Sequence, residues 1–157
     1  MLNPDFREVL SEFAAERVEF VVVGAFALAA HGLPRATAHI DLWVRPDQEN
    51  AQRAQRVWRA LARFGAPVTE ITPDDFAVPE MVVQIGVPPS RIDVLTSIDG
   101  VGFAEAWEKR ASIFVDGVEI PVIGREHLIR NKTAAGRPQD LADLARLRAL
   151  SGPRPAE

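Results

Sequence analysis

Apolar residues recur along this chain with two periods, and each switch between them marks a helix or a strand. Behind Pro4, which suits a first helical turn, Phe6, Val9, Leu10 and Phe13 fall at helical spacing, so residues 4–17 are expected to be a helix. Val18 to Val23 is an unbroken β-branched and aromatic run, the signature of a short strand buried on both faces. Gly24 ends it. The small residues from Ala25 to His31 predict a helix that approaches the sheet closely, stopped by Gly32 and Pro34. A second strand covers 39–44. Pro46-Asp47 then reads as a helix start, and 48–64 carries Ala51, Ala54, Val57, Trp58, Leu61 and Phe64 on one stripe, with Arg53, Arg56, Arg59 and Arg63 as a solvated face. Gly65, Pro67, Pro73 and Pro79 make 65–80 a loop with one helical turn near Asp74–Phe76.

The second half alternates more quickly. Met81 to Val87 is expected to pair with 91–97 across Pro88-Pro89-Ser90, and Phe103 to Arg110 is a short helix. Ile113–Val115 and Val118–Val122 flank Asp116-Gly117, the strongest two-residue hairpin signal in the chain. Helices at 125–134 and 138–150 are parted by Gly136, and 151–157 is expected to be a disordered tail. The order predicts one α/β (α+β) domain over 1–150, a small mixed β-sheet flanked by helices and closed by two C-terminal helices.

Two of the strands carry a carboxylate. Asp41 lies within His39-Ile-Asp-Leu-Trp-Val44 and Asp93 within Arg91-Ile-Asp-Val-Leu95, although strand interiors disfavour aspartate and burial of its charge is costly. Alternation puts Ile40, Leu42 and Val44 on one face of the first run and His39 with Asp41 on the other; in the second, Asp93 shares a face with Arg91 and Leu95. If the strands are neighbours, both carboxylates line one cleft and can hold Mg²⁺ against phosphate oxygens. The other reading pairs Asp93 with a nearby arginine and leaves Asp41 capping a turn. Gly24 is equally open: a strand–glycine–helix unit is a ready anion site, or a turn that needs no side chain. His39, Asp41 and His127 also mimic a two-histidine, one-carboxylate iron site, but the α/β pattern disfavours it, and His127 reads as a surface or helix-start residue.

Composition narrows the class. The chain has 157 residues, 47% apolar and 25% charged, as an ordinary globular protein has. The lack of cysteine excludes disulfides and thiolate zinc sites. A polar N-terminus without a leader, and no apolar stretch near the ~20 residues that span a bilayer, give the expectation of a cytoplasmic protein with no membrane partner. A net charge of −4 argues against a surface that coats nucleic acid, although Arg125, Arg130, Lys132 and Arg137 form a local basic patch opposed by Glu126.

Taken together, Val21-Val-Val-Gly24-Ala-Phe-Ala, Pro34-Arg-Ala-Thr37, His39-Ile-Asp41-Leu and Arg91-Ile-Asp93-Val-Leu95 resemble the minimal nucleotidyltransferase fold. The nearest branch is the stand-alone AbiEii-like proteins of type IV toxin–antitoxin systems, whose C-terminal motif Leu128-Ile-Arg-Asn-Lys132-Thr-Ala-Ala-Gly-Arg137-Pro-Gln-Asp140-Leu-Ala-Asp143-Leu resembles. The resemblance runs from about residue 18 to residue 148. It implies transfer of a nucleoside monophosphate from an NTP to a hydroxyl of RNA (such as tRNA) or protein, with Mg²⁺ or Mn²⁺, and a toxin role beside a cognate antitoxin. It also implies that Gly24 and Ala25 cradle the triphosphate and that Asp41 and Asp93 act as catalytic metal ligands, with Lys132, Arg137 and Arg35 meeting phosphates. The chain departs from the family at two places. His39 stands where the first carboxylate belongs, and Gly24-Ala25 replaces a Gly-Gly or Gly-Ser pair. Imidazole is a poor ligand for hard Mg²⁺, so His39 signals lost catalysis, use of Mn²⁺ or another softer ion, or a deliberate inactivating substitution. Reduced or absent Mg²⁺-dependent activity is the expectation, which leaves a catalytically inactive protein that binds a nucleotide or a partner as the alternative.

Overall fold

The computed structural model of the protein describes residues 2–47 and 51–150. Its elements run α1 (Pro4–Ala15), β1 (Phe20–Val23), α2 (Gly24–Ala30), β2 (His39–Val44), α3 (Ala51–Phe64), β3 (Val82–Ile85), β4 (Arg91–Leu95), α4 (Phe103–Glu108), β5 (Ala111–Val115), β6 (Val118–Val122), α5 (Arg125–Ala135) and α6 (Pro138–Ala149). Two short 3₁₀ turns, Val68–Glu70 and Pro73–Phe76, interrupt the proline-rich loop, the second where a helical turn was expected. The expected start of the third helix at 48–50 and the tail at 151–157 lie outside the described residues.

The strands form one mixed sheet in the order β3-β4-β2-β1-β6-β5. β1 and β2 are antiparallel, as are β3 with β4 and β5 with β6, while β2 runs parallel to β4 and β1 parallel to β6. Every residue of β1 is buried, as an uninterrupted apolar run in a central strand should be. That strand is two residues shorter than the sequence pattern suggests. The Val18 amide donates to Phe13 O at 2.9 Å, and Arg17 takes a positive φ of 57°, so residues 17 and 18 close helix α1 instead of extending the strand. The hairpin forms at Asp116-Gly117, whose φ angles of 50° and 79° are both positive, as its turn geometry demands.

Packing around the sheet follows the helical stripes. α1 and α3 pack together, α2 lies on β1 and β2, and α5 pairs with α6. Phe13 meets Phe20 edge-on with ring centroids 5.3 Å apart, and Trp43 meets Phe103 at 5.1 Å. The buried residues of α2 are Ala27 and Leu28, and Ala27 has no exposed surface. Its side chain therefore sets how near the helix sits to β1 and β2, and so fixes where Gly24 presents the helix start. Ala27→Leu is expected to overpack this contact and lower stability by about 1–3 kcal/mol, whereas Ala29→Leu, on the exposed side, should stay within about 0.5 kcal/mol. Urea unfolding of both variants checks this; equal effects would mean that α2 does not seat against the sheet as described.

Candidate active site

The two aspartates meet because of register. In the parallel β2–β4 pair, Asp41 is directly opposite Asp93 and His39 opposite Arg91, which places all four side chains on one face. His39 Nε2 lies 3.3 Å from Asp41 Oδ2 and 4.0 Å from Asp93 Oδ2. One ligand atom from each of these three residues falls within 4.8 Å of the others. The carboxylates are 16% and 8% exposed and the imidazole 31%, so the cluster opens to solvent through the histidine. Burial pushes the Asp41 carboxyl up to about 6; the His39 ring opposes this and the Asp93 charge adds to it. Asp93 is held differently. Arg91, two residues earlier on the same strand face, donates from Nε to Oδ1 at 3.0 Å and from Nη2 to Oδ2 at 3.1 Å. Pairing with a nearby arginine, one of the two readings the sequence left open for Asp93, is therefore present, and it coexists with convergence on Asp41.

Gly24 closes the other wall. Its φ is +70°, and a Cβ there would lie 2.1 Å from Asp41 Oδ2, so both conformation and space require glycine. Val23 provides no side-chain cap, which leaves the first amides of α2 without a side-chain partner beside the carboxylate. A cleft of about 660 Å³ runs from this turn along Val23, Gly24, His39 and Asp41 to Lys132 and Arg137, with Pro79, Val82, Leu95 and Ile98 as an apolar wall.

The basic residues of this cleft are less free than their sequence suggests. Lys132 is buried, with Nζ 3.2 Å from Asp140 Oδ1 and 3.3 Å from Asp143 Oδ2. Arg137 Nε donates to Asp140 Oδ2 at 2.8 Å, and the Arg137 amide completes a capping box with the same carboxylate. Arg35, on the α2–β2 loop, forms an ion pair with Asp143. Burial alone would raise the carboxyls of Asp140 and Asp143. The hydrogen bonds from Arg137 and Lys132 to Asp140, and from Arg35, Gln139 and Lys132 to Asp143, outweigh it and hold both groups below the usual range. The expected basic patch is thus largely neutralised: Arg130 pairs with Glu105, and Arg125 Nη2 donates to Leu147 O at 3.1 Å. His127 is also not a surface residue. It is buried at the start of α5 beside Glu105 and takes no part in the His39–Asp41–Asp93 group.

Residues 3–154 match the family described as "Nucleotidyl transferase of unknown function (DUF2204)". The chain belongs to this family. No curated protein matches this nucleotidyl transferase chain. Among solved structures it resembles TM1012, a candidate nucleotidyltransferase from Thermotoga maritima, at 14% identity and a TM-score of 0.64, with 96% of each chain covered. The lincosamide antibiotic adenylyltransferase LnuA, solved with lincomycin, superposes with a TM-score of 0.59 at 14% identity over 96% of this chain and 99% of its own. The antibiotic-resistance factor ANT(2″)-Ia, in complex with adenylyl-2″-tobramycin, does so with a TM-score of 0.61 at 13% identity over 94% and 87%. At these identities the likeness shows a shared fold, which agrees with the mixed sheet and flanking helices read from the sequence.

Of the residues singled out in the sequence, the nucleotidyl transferase fold brings Gly24, His39, Asp41, Lys132 and Arg137 to one cleft, with Asp93 beside Asp41 and His39. Ala25 sits in the first turn of α2, and Arg35 approaches only through Asp143. The residue the sequence reading gave no role is Asp143, which has no exposed surface and ties Arg35 to Lys132. A signal was there: Asp140 and Asp143 share the buried stripe of α6 with Leu144 and Leu147, and acids on an apolar stripe need buried cations.

The raised Asp41 carboxyl makes a testable statement about stability. Because the folded-state value exceeds the ordinary 3.8, ionisation opposes folding, and the penalty grows from about pH 4 to about pH 6 and then stays constant. Asp41→Asn is therefore expected to stabilise the chelator-treated protein by about 1–3 kcal/mol at about pH 7.5, with the gain vanishing near pH 4. Urea unfolding at both pH values measures it; an equal loss at both would contradict the burial of an unneutralised carboxylate.

Proposed function

We propose that this protein binds an NTP in the cleft between the Gly24 turn and Lys132–Arg137 and transfers its nucleoside monophosphate to an acceptor hydroxyl. The observation that carries this reading is the in-register pair of Asp41 and Asp93, buried beside an unobstructed glycine turn. A divalent ion held by these carboxylates supplies charge neutralisation at the phosphates when bound. The chain's own residues do the rest. The Gly24 turn admits the triphosphate against Asp41, since no side chain intervenes. Lys132 and Arg137, already anchored by Asp140, present fixed positive charge to the β- and γ-phosphates at no further ordering of their side chains. Asp93, nearer the β3 edge of the sheet, orients the acceptor. The acceptor O–H attacks the α-phosphorus, its proton passes to the carboxylate pair, the α–β anhydride bond breaks and pyrophosphate leaves.

The C-terminal motif favours an AbiEii-like acceptor, tRNA or protein, and a toxin role with a cognate antitoxin. The antibiotic-bound neighbours instead support a small hydroxylated acceptor, which the apolar wall of Pro79, Val82, Leu95 and Ile98 would also suit. His39 in place of a carboxylate and the Arg91 clasp on Asp93 favour a second reading, a nucleotide-binding protein without transferase activity.

Titration with the four NTPs, in Mg²⁺ and then Mn²⁺, followed by incubation of labelled NTPs with tRNA, protein and small hydroxylated acceptors, separates these. Transfer should occur with at least one acceptor and fall by about 10²–10⁴-fold in Asp93→Asn. Tight NTP binding with no labelled product from any acceptor would favour the second reading.

A further inference from the structure

The cluster at the β2–β4 junction suits one ion better than two, and a softer ion better than Mg²⁺. His39 Nε2, Asp41 Oδ2 and Asp93 Oδ2 offer one nitrogen and two oxygens. Mixed imidazole and carboxylate donors suit Mn²⁺, Co²⁺ or Zn²⁺, whereas Mg²⁺ prefers an all-oxygen octahedron and gives up its waters reluctantly. Donors about 2.1 Å from a tetrahedral or octahedral ion sit roughly 3.0–3.4 Å apart. The observed 3.3 Å from His39 to Asp41 already meets this, and the 4.0 Å to Asp93 needs only a small rotation of His39.

A second ion would need the remaining oxygens of the cluster, and Asp93 has little left to offer. Both of its oxygens accept from Arg91, a bidentate grip set by the i, i+2 placement of the two residues on one strand face. With His39 neutral, two carboxylates and one guanidinium leave the cluster a charge of −1, enough to hold one divalent ion and too little for two.

We infer that the site takes a single first-row transition ion on His39, Asp41 and Asp93, with His39 selecting against Mg²⁺ and Arg91 standing as the fixed cation in place of a second ion. This deepens the transferase reading by using the same cleft, but it is measured on metal alone, so the two can fail independently. Transfer without the expected metal preference would sink this inference and leave that reading intact; the expected metal binding without transfer would do the reverse.

The full chain, stripped with chelator, is titrated with Mg²⁺, Mn²⁺, Co²⁺ and Zn²⁺ by calorimetry. One equivalent of Co²⁺ or Zn²⁺ should bind at least tenfold more tightly than Mg²⁺, and Co²⁺ should show visible absorption of a nitrogen-ligated ion. His39→Asp should reverse the preference, and Arg91→Gln should raise the Mg²⁺ stoichiometry toward two. A readout free of folding defects uses the wild-type protein: of the three histidines, one equivalent of diamagnetic Zn²⁺ should shift the imidazole NMR signals of His39 and leave those of His31 and His127 nearly unmoved. Equal or tighter binding of Mg²⁺ than of Co²⁺ and Zn²⁺, two equivalents of ion in the wild type, or a Zn²⁺-induced shift at His31 or His127 rather than at His39 would overturn the inference.

Discussion

Two like charges held side by side on adjacent strands are the constraint around which this molecule is arranged. At separations within 4.8 Å, the repulsion between Asp41 and Asp93 is worth about 3 kcal/mol at an effective dielectric of about 20. A sheet tolerates this only where neighbours offset it. Arg91 does so for Asp93 through a bidentate contact that their i, i+2 placement on one face of β4 makes available. Burial raises the Asp41 carboxyl, and the 31% exposed imidazole of His39 and the more distant Arg91 offset this only in part. The asymmetry matters chemically: one carboxylate is compensated in advance, while the other awaits a cation. Gly24 sharpens it by yielding all the space in front of Asp41.

A second electrostatic unit faces the first across the cleft. Lys132, Arg35 and Arg137 converge on Asp140 and Asp143, three cations on two buried carboxylates, and of these cations Lys132 and Arg137 line the cleft. Buried ion pairs of this kind are weak evidence for stability. Their value here is positional. They tie α6 to α5 and to the α2–β2 loop, and thereby fix the distance between a positive wall and a negative one. A triphosphate with a bound metal ion is a ligand whose charge distribution matches such a cleft. The geometry that an oppositely charged ligand needs is thus present before it arrives.

Much of this was legible in the sequence. The limits of β2 are those expected, the Asp116-Gly117 hairpin forms as read, and the alternation around His39, Asp41, Arg91 and Asp93 gave the shared face. What alternation cannot supply is which strands are neighbours. The placement of β4 beside β2, with β1 on the other side, comes from tertiary packing and decides that the two aspartates meet. The partners of the basic residues are hidden from the sequence for a related reason. Arg125, Arg130, Lys132 and Arg137 look like a patch along the chain, but Arg125 meets the Leu147 carbonyl, Arg130 meets Glu105, and Lys132 meets Asp140 and Asp143 of the next helix, while the Arg137–Asp140 pair is local. His127 stands at a helix start, one of the two places read for it, but it is buried, because the helical pattern of 125–134 is too weak to say which side faces inward.

Metal and phosphate binding at the meeting point of β2 and β4 is the proposal on which the function depends. A crystal structure of the protein soaked with Mn²⁺ and a non-hydrolysable NTP, with data collected at the manganese edge, tests it most directly. One anomalous peak coordinated by His39, Asp41 and Asp93 is expected, with triphosphate density running from the Gly24 turn toward Lys132 and Arg137. Nucleotide bound elsewhere on the molecule, or manganese absent from these three side chains at full nucleotide occupancy, would contradict it.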